Sequence, residues 1–177
     1  MGGPALLREA AHLASRFFVS LWPAGPSRTD TAWAHATLTR SEADLWDRMS
    51  APDRRHSVAV ARRVAGAIGA RDPTVLSAAL LHDVGKVASG LGTFARAAVT
   101  VAGLATGRRR AAAWAASRGW RRRAGLYLRH PEEGSAMLEE AGSAPLVVRW
   151  AAEHHMPPER WTVARELAVA LKAADDD

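Results

Sequence analysis

A chain of 177 residues suits one compact unit with a single core and leaves little room for two. It has no Cys, which excludes disulfides, thiolate zinc sites and thiol nucleophiles and leaves His, Asp and Glu as the available metal ligands. The formal net charge of +6 is unevenly spread: Lys86, Arg96, Arg108, Arg109, Arg110, Arg118, Arg121, Arg122, Arg123 and Arg129 fall between Val84 and Pro131 with no Asp or Glu among them. Such a stretch creates a positive field that favours an anionic partner, whether a phosphate ester, a nucleic acid or an acidic lipid surface. The plainer alternative is that an Ala- and Arg-rich chain solvates its helices with Arg.

Apolar positions recur at three- and four-residue spacing and β-favouring residues are sparse, so the expected class is all-α. A first helix is expected over Pro4 to Leu21, stopped by a Pro/Gly/Ser-rich loop from Trp22 to Asp30. Arg8, Glu9, His12 and Arg16 interrupt that first segment, leaving no apolar run of signal or membrane length, and a soluble, cytoplasmic protein is expected. A short helix near Ser41 to Met49 follows. Ser50 can cap the next helix, with Asp53 at its third position, to about Ala70; its core face reads His56, Val60, Val64, Ala67. Asp72-Pro73 opens a helix apolar nearly all round, as for an element packed on every side, which ends in His82-Asp83. Ala88 to Arg129 is expected to hold two or three helices broken near Gly107 and Gly119. Further helices are expected from His130 to Gly142, from Ala144 to His155 ahead of Pro157-Pro158, and from Trp161 to Asp175.

An imidazole and a carboxylate at the end of an all-apolar helix would cost several kcal/mol to desolvate without a compensating partner, and a bound cation is an efficient one. Neighbours on a helix diverge by about 100°, so His82 and Asp83 do not clasp one ion as an i, i+4 pair does, but both reach a site at a helix end. Taken alone, the pair reads more readily as an Asp bonded to backbone amides beside a satisfied core His. It is not alone. His56 shares a face with Val60 and Val64, and His154 and His155 emerge from the last turn of a helix whose buried side carries Val147, Trp150 and Ala151. His130 sits at a helix cap, where packing is its ordinary role. Asp175 continues the face of Leu167 and Leu171, whereas Asp176 falls on the side of Arg165, Val169 and Lys172. A carboxylate at a helix C-terminus is disfavoured by the macrodipole and calls for a cation. His12 and His35 have no patterned context.

The segment Leu80-Leu-His-Asp-Val-Gly-Lys86 resembles the signature of the HD superfamily in its HDxGK form. The elements around it match in order: His56 as the first His, His130-Pro131-Glu-Glu-Gly134 as an HPxxG element, His154-His155 as the double His, and Ala173-Ala-Asp175 as the closing Asp. The likeness covers about Ser50 to Asp177. It implies a single all-α HD-type domain over residues 50–177 with an Arg-rich helical insertion at about 88–129, preceded by an N-terminal helical extension over 1–49. It also implies a phosphohydrolase with one or two divalent ions, Mn, Mg or Fe: one ion held by His56, His82, Asp83 and Asp175, a second by His130, His154 and His155, with Asp83 bridging. Asp83 and Lys86 would serve catalysis, Lys86 by contacting a phosphate oxygen, although a helix-end Lys can also cap carbonyls. The chain is similar to the HD-GYP branch but carries Met156-Pro-Pro-Glu-Arg-Trp161 where that branch has its GYP loop, so cyclic-dinucleotide specificity is not carried over.

The expected activity is hydrolysis of a phosphomonoester or phosphodiester, with a phosphorylated small molecule such as a nucleotide as partner. In that reading the Arg-rich helices between Asp83 and His130, with Arg121, Arg122 and Arg123, form a lid or a phosphate-attracting rim. The alternative is a regulatory or nucleic-acid-binding module with a structural metal and a binding Arg-rich segment. Peripheral contact with an anionic membrane through Phe94 to Arg123 has less behind it.

Overall fold

Capping residues and prolines divide the chain into helices at most of the places where they stand in the sequence. A computed structural model describes residues 24–69 and 72–177; the helix expected over Pro4 to Leu21 lies outside the described residues. The chain is all-α, with no strand among the described residues. Its helices are α1 (Arg28–Thr37), α2 (Arg40–Asp47), α3 (Ala51–Ile68), α4 (Pro73–Leu81), α5 (Thr93–Ala115), α6 (Gly119–Leu128), α7 (His130–Glu140), α8 (Pro145–Glu153) and α9 (Arg165–Asp176). A 3-10 turn at Val84–Ser89 follows α4, and another at Pro158–Arg160 follows α8.

Ser50 caps α3 by accepting from Asp53 N, and Asp72 caps α4 by accepting from Thr74 N. Both satisfy amides that a helix start leaves without an intrahelical partner. Thr39 and Glu42 form a reciprocal capping box on α2. Helix α1 is absent from the sequence expectations: Ser27 accepts from Asp30 N, so the helix begins inside the stretch read as a loop. The cap was legible, but the polar composition of Arg28–Thr37 hid the helix behind it.

Helix α4 is the centre of the molecule, with every residue from Val75 to Leu81 buried. Helices α3 and α8 pack against it most extensively, α1 and α2 also lie on it, and α9 packs on α3. Trp46, Trp150, Leu80, Leu81, Leu138 and Leu171 are the largest fully buried side chains, and burying each apolar one stabilises the fold by about 1.5–3 kcal/mol. Ala34, Leu38, Leu45 and Trp46 belong to this same core, so the segment from Arg28 to Asp47 shares the core of the chain that follows it. Trp46 Nε1 donates to Ser57 Oγ across 2.9 Å, giving the buried indole N–H its partner.

Three further expectations are corrected. Ala67 is exposed, and Val58 and Ala61 join Val60 and Val64 in the buried face of α3. Helix α5 runs through Gly107 without a break, because a single Gly inside a helix costs only about 1 kcal/mol and packing offsets it. Helix α9 starts at Arg165, since the carboxylate of Glu153 holds the preceding segment by accepting from Thr162 N (2.7 Å) and Val163 N (3.2 Å).

Helices α5 and α6 form a tight antiparallel pair. A Cβ on Gly125 would meet the backbone of Ala111, Trp114 and Ala115, so only Gly allows this approach. Arg123 then fastens α6 to the 3-10 turn by donating from Nε to Ser89 O (3.0 Å) and from its terminal nitrogen to Gly90 O.

A candidate metal centre

The HDxGK and HPxxG segments meet through their glycines. A Cβ on Gly85 would meet His130 O and Gly134 N, and one on Gly134 would lie 3.0 Å from Gly85 N. This backbone-on-backbone crossing brings the start of α7, with His130, over the end of α4, with His82 and Asp83. From the other side α3 delivers His56, α8 ends at His154, and α9 delivers Asp175 in its last turn.

Seven residues singled out in the sequence therefore converge. Asp83 is 3% exposed and lies at the middle: its Oδ1 is 3.3 Å from His130 Nε2 and 3.6 Å from His154 Nε2, while its Oδ2 is 3.4 Å from His82 Nε2. Asp175 Oδ1 is 3.0 Å from His56 Nε2 and 3.5 Å from His82 Nε2. His155 Nε2 is 3.2 Å from His130 Nε2. His155 departs from the expectation that both members of the double His are buried, since it is exposed at the rim while His154 is wholly buried. Lys86 pairs with Asp83 Oδ2. His35, which had no pattern in the sequence, pairs instead with Asp47 at 3.1 Å on the surface.

The tautomers of three imidazoles follow from their neighbours. His82 Nδ1 is 2.9 Å from Ala79 O, His130 Nδ1 is 2.9 Å from Tyr127 O, and His154 Nδ1 is 2.9 Å from Ala151 O. A carbonyl only accepts, so each Nδ1 carries a hydrogen, and in its neutral form each ring turns the Nε2 lone pair toward the carboxylates. Nε2 of His82 and of His154 are buried with no hydrogen-bond partner. A lone pair facing a carboxylate oxygen is repulsive, so a proton or a metal ion must lie between them. This donor set fits a divalent cation: neutral imidazoles oriented by backbone carbonyls, with carboxylates opposite, are the usual dress of such sites.

The ionisation behaviour agrees. Burial works against charge on His82, but Asp83 and Asp175 overcome it and hold its pKa up to about 10. Burial lowers His154 to about 4, assisted by the charge of His82; His155, whose outer edge is open to solvent, is lowered by the burial of the ring face packed on its neighbours and by the nearby His154 and His130. His56 is also lowered, chiefly by burial. Burial opposes the charge of Asp83, yet Lys86 and His82 keep it well below the usual carboxylate range; Asp175 is likewise held down by His82 and His56. The cluster thus keeps two buried carboxylates ionised and most of its imidazoles neutral, the protonation state that a cation requires of its ligands.

Two arrangements in this cluster have the shape of a cation site, His56 with His82 and Asp83, and Asp83 with His130, His154 and His155. Asp83 is common to both, with one oxygen toward each.

Sequence reasoning missed two neighbours. Tyr127, the only Tyr in the chain, supplies the carbonyl that orients His130 and stacks on its ring at 5.9 Å. Asp53, read only as part of a cap, pairs with Arg96 of α5. Tyr127 orients His130 through a backbone carbonyl that any residue would supply, and the partner of Asp53 lies forty-three residues away, so neither role showed in the sequence.

An all-α fold whose helices gather imidazoles and carboxylates around two cation-shaped clusters defines a class of metal-binding helical domains. A family model described as HD domain matches residues 54–176. The chain belongs to the HD domain family, a superfamily of metal-dependent phosphohydrolases. No curated protein and no solved structure matches it. No helix among the described residues is long and apolar enough to cross a membrane, α5 included.

Proposed function

We propose that this chain hydrolyses a phosphomonoester or phosphodiester, of a nucleotide or similar phosphorylated small molecule, with two divalent ions held by the convergent cluster. In this reading His56, His82, Asp83 and Asp175 would hold one ion and His130, His154 and His155 the second, with Asp83 available to both. The observation that carries it is the pair of buried Nε2 atoms, on His82 and His154, which face oxygens of Asp83 at 3.4 and 3.6 Å without a hydrogen-bond partner. The mixture of imidazole and carboxylate donors suits Mn or Fe better than Mg alone. The chemistry such a pair supplies when bound is Lewis acidity, which activates a water nucleophile and offsets charge on the phosphoryl oxygens.

The protein's own part is positional. Ala79, Tyr127 and Ala151 fix three rings through their carbonyls, so the ligands need little rearrangement to bind. The apolar body of α4 excludes water from beneath the site. Lys86, at the edge of the cluster and touching Asp83, is the cation assigned to a phosphate oxygen of the substrate. His155 and His56, the more exposed ligands, mark the open side.

The test is elemental analysis of the purified chain together with a panel of phosphate esters assayed with Mn(II), Fe(II) and Mg(II). Expected are one to two equivalents of metal and turnover that His82→Ala and Asp83→Ala both remove. Metal at background, or full activity in those variants, would end the proposal; RNA or DNA binding without turnover would favour a nucleic-acid-binding module instead.

A further inference from the structure

Helix α5 is fastened at two points one turn apart, each to a residue that neighbours the cluster. Arg96 pairs with Asp53, which lies one turn before His56 on α3. Thr100, one turn after Arg96, has its hydroxyl 3.2 Å from Tyr127 Oη, and the Tyr127 ring stacks on His130. The two fastenings bracket the cluster between a group assigned to each ion, His56 on one side and His130 on the other. Arg96 is mostly buried, with its side chain 14% exposed, and its Nε has no hydrogen-bond partner. A guanidinium offers five donors, so its bond to a single carboxylate oxygen leaves donors such as Nε unsatisfied.

We infer that Arg96 is an anion-binding residue of the substrate site, a second cationic contact alongside Lys86 for phosphoryl oxygens, with Asp53 holding its guanidinium in place until an anion arrives. This rests on the proposed phosphohydrolase reading and adds a determinant to it: the site takes substrates with more anionic oxygen than one ester contact to Lys86 satisfies. The basic residue that matters for phosphate is then the partly buried Arg96, not Arg121, Arg122 or Arg123 of the exposed run.

The opposing account is that Arg96 and Asp53 merely latch α5 to α3. The two accounts differ in what Asp53→Asn does. We would titrate the full-length, Mn(II)-loaded chain with inorganic phosphate by calorimetry, and record the melting temperature of each variant. If Arg96 binds the anion, Arg96→Gln weakens phosphate by roughly tenfold, as loss of a charge-assisted hydrogen bond implies. Asp53→Asn, which removes a competing carboxylate, leaves phosphate affinity equal or higher. Arg96→Lys keeps the ion pair with Asp53 but not the planar fork, so it keeps the melting temperature while still weakening phosphate, and this covers the case in which Arg96→Gln does not fold. If Arg96→Gln and Asp53→Asn lower the melting temperature alike and neither Arg96 variant changes phosphate affinity, the pair is a latch and the inference is overturned. A wild-type chain that loads metal but binds no phosphate would overturn the phosphohydrolase reading beneath it, a result distinguishable from failure of Arg96 alone.

Discussion

Around Asp83 the polar atoms are buried, three rings are fixed by carbonyls three residues back, and charges of both signs face one another. Along α6, by contrast, Arg121 and Arg122 are exposed, Trp120 is 65% exposed, and Arg123 gives its donors to the carbonyls of Ser89 and Gly90. The second region has the higher density of charge and the first has the direction. A field made by solvated side chains is screened within about 8 Å at physiological salt, whereas lone pairs fixed in a buried cluster keep their full effect at contact distance. The sharpest way to separate the two is to remove one group from the first. Asp83→Asn should abolish turnover, by 10³-fold or more on the order of what metal-centre and general catalytic losses cost, and should bring bound metal to background. Elemental analysis and initial rates check both; metal retained at full occupancy would break the comparison.

Each region also contains a glycine at a close crossing, which allows a matched pair of substitutions. In Gly85→Ala the new methyl would meet His130 O and Gly134 N, and in Gly125→Ala it would meet the backbone of α5. Both should lose about 1–3 kcal/mol in urea unfolding, as overpacked sites do. They should part in metal affinity. Gly85→Ala displaces the residue that carries His130 and should weaken metal binding, while Gly125→Ala shifts the hairpin and should leave metal stoichiometry as in the wild type. Equal metal loss in both would mean that the hairpin and the centre move as one body.

The pH dependence of stability follows from the histidines. His154, His155 and His56 have pKa values lowered from 6.5, so what they contribute is complete above 6.5 and lost as pH falls, for His154 through about 4. His82 is raised from 6.5 to about 10, so its contribution is complete below 6.5 and lost as pH rises through that value. Chelator-treated protein should be most stable near pH 6.5, with both limbs falling away. Metal uptake takes the place of the His82 proton, so the Mn(II)-loaded chain should lose the alkaline limb, and loading at pH 7.5 should release about one proton. Denaturation at pH 5, 6.5 and 8.5 with and without metal measures this; metal-free stability that climbs between 6.5 and 8.5 would contradict it.

The convergent cluster was legible in the sequence because few residue types can serve as ligands and helices fix their spacing. His82-Asp83, His56, His130, His154, His155 and Asp175 could be named without coordinates, and the all-α class followed from periodicity. What escaped was of three kinds. Tyr127 acts through its backbone carbonyl, which any residue possesses, so its identity carried no signal of that role. The Asp53–Arg96 pair and the Gly85–Gly134 crossing join distant parts of the chain, and neither member announces the other. Helix α1 escaped for a third reason: with only Ala34 fully buried, its pattern is too polar for periodicity to register.

The smallest expected effect belongs to the residues that composition made most conspicuous. Arg121 and Arg122 are exposed near the tip of the hairpin, and Arg121 lies over Trp120 at 6.0 Å, the outer limit of a cation–π interaction. Replacing both with Gln should change stability by no more than about 0.5 kcal/mol, because exposed charges distant from a cap or a network contribute little. The affinity of the Mn(II)-loaded chain for inorganic phosphate should stay within twofold of wild type at 150 mM salt, where screening is strong, and fall modestly at 10 mM, where the Debye length reaches about 30 Å. That salt-dependent remainder is the long-range field of the Arg run, as distinct from contact. A tenfold loss at 150 mM would instead put these side chains within reach of the anion, and the contrast between a directed centre and a solvated hairpin would have to be redrawn.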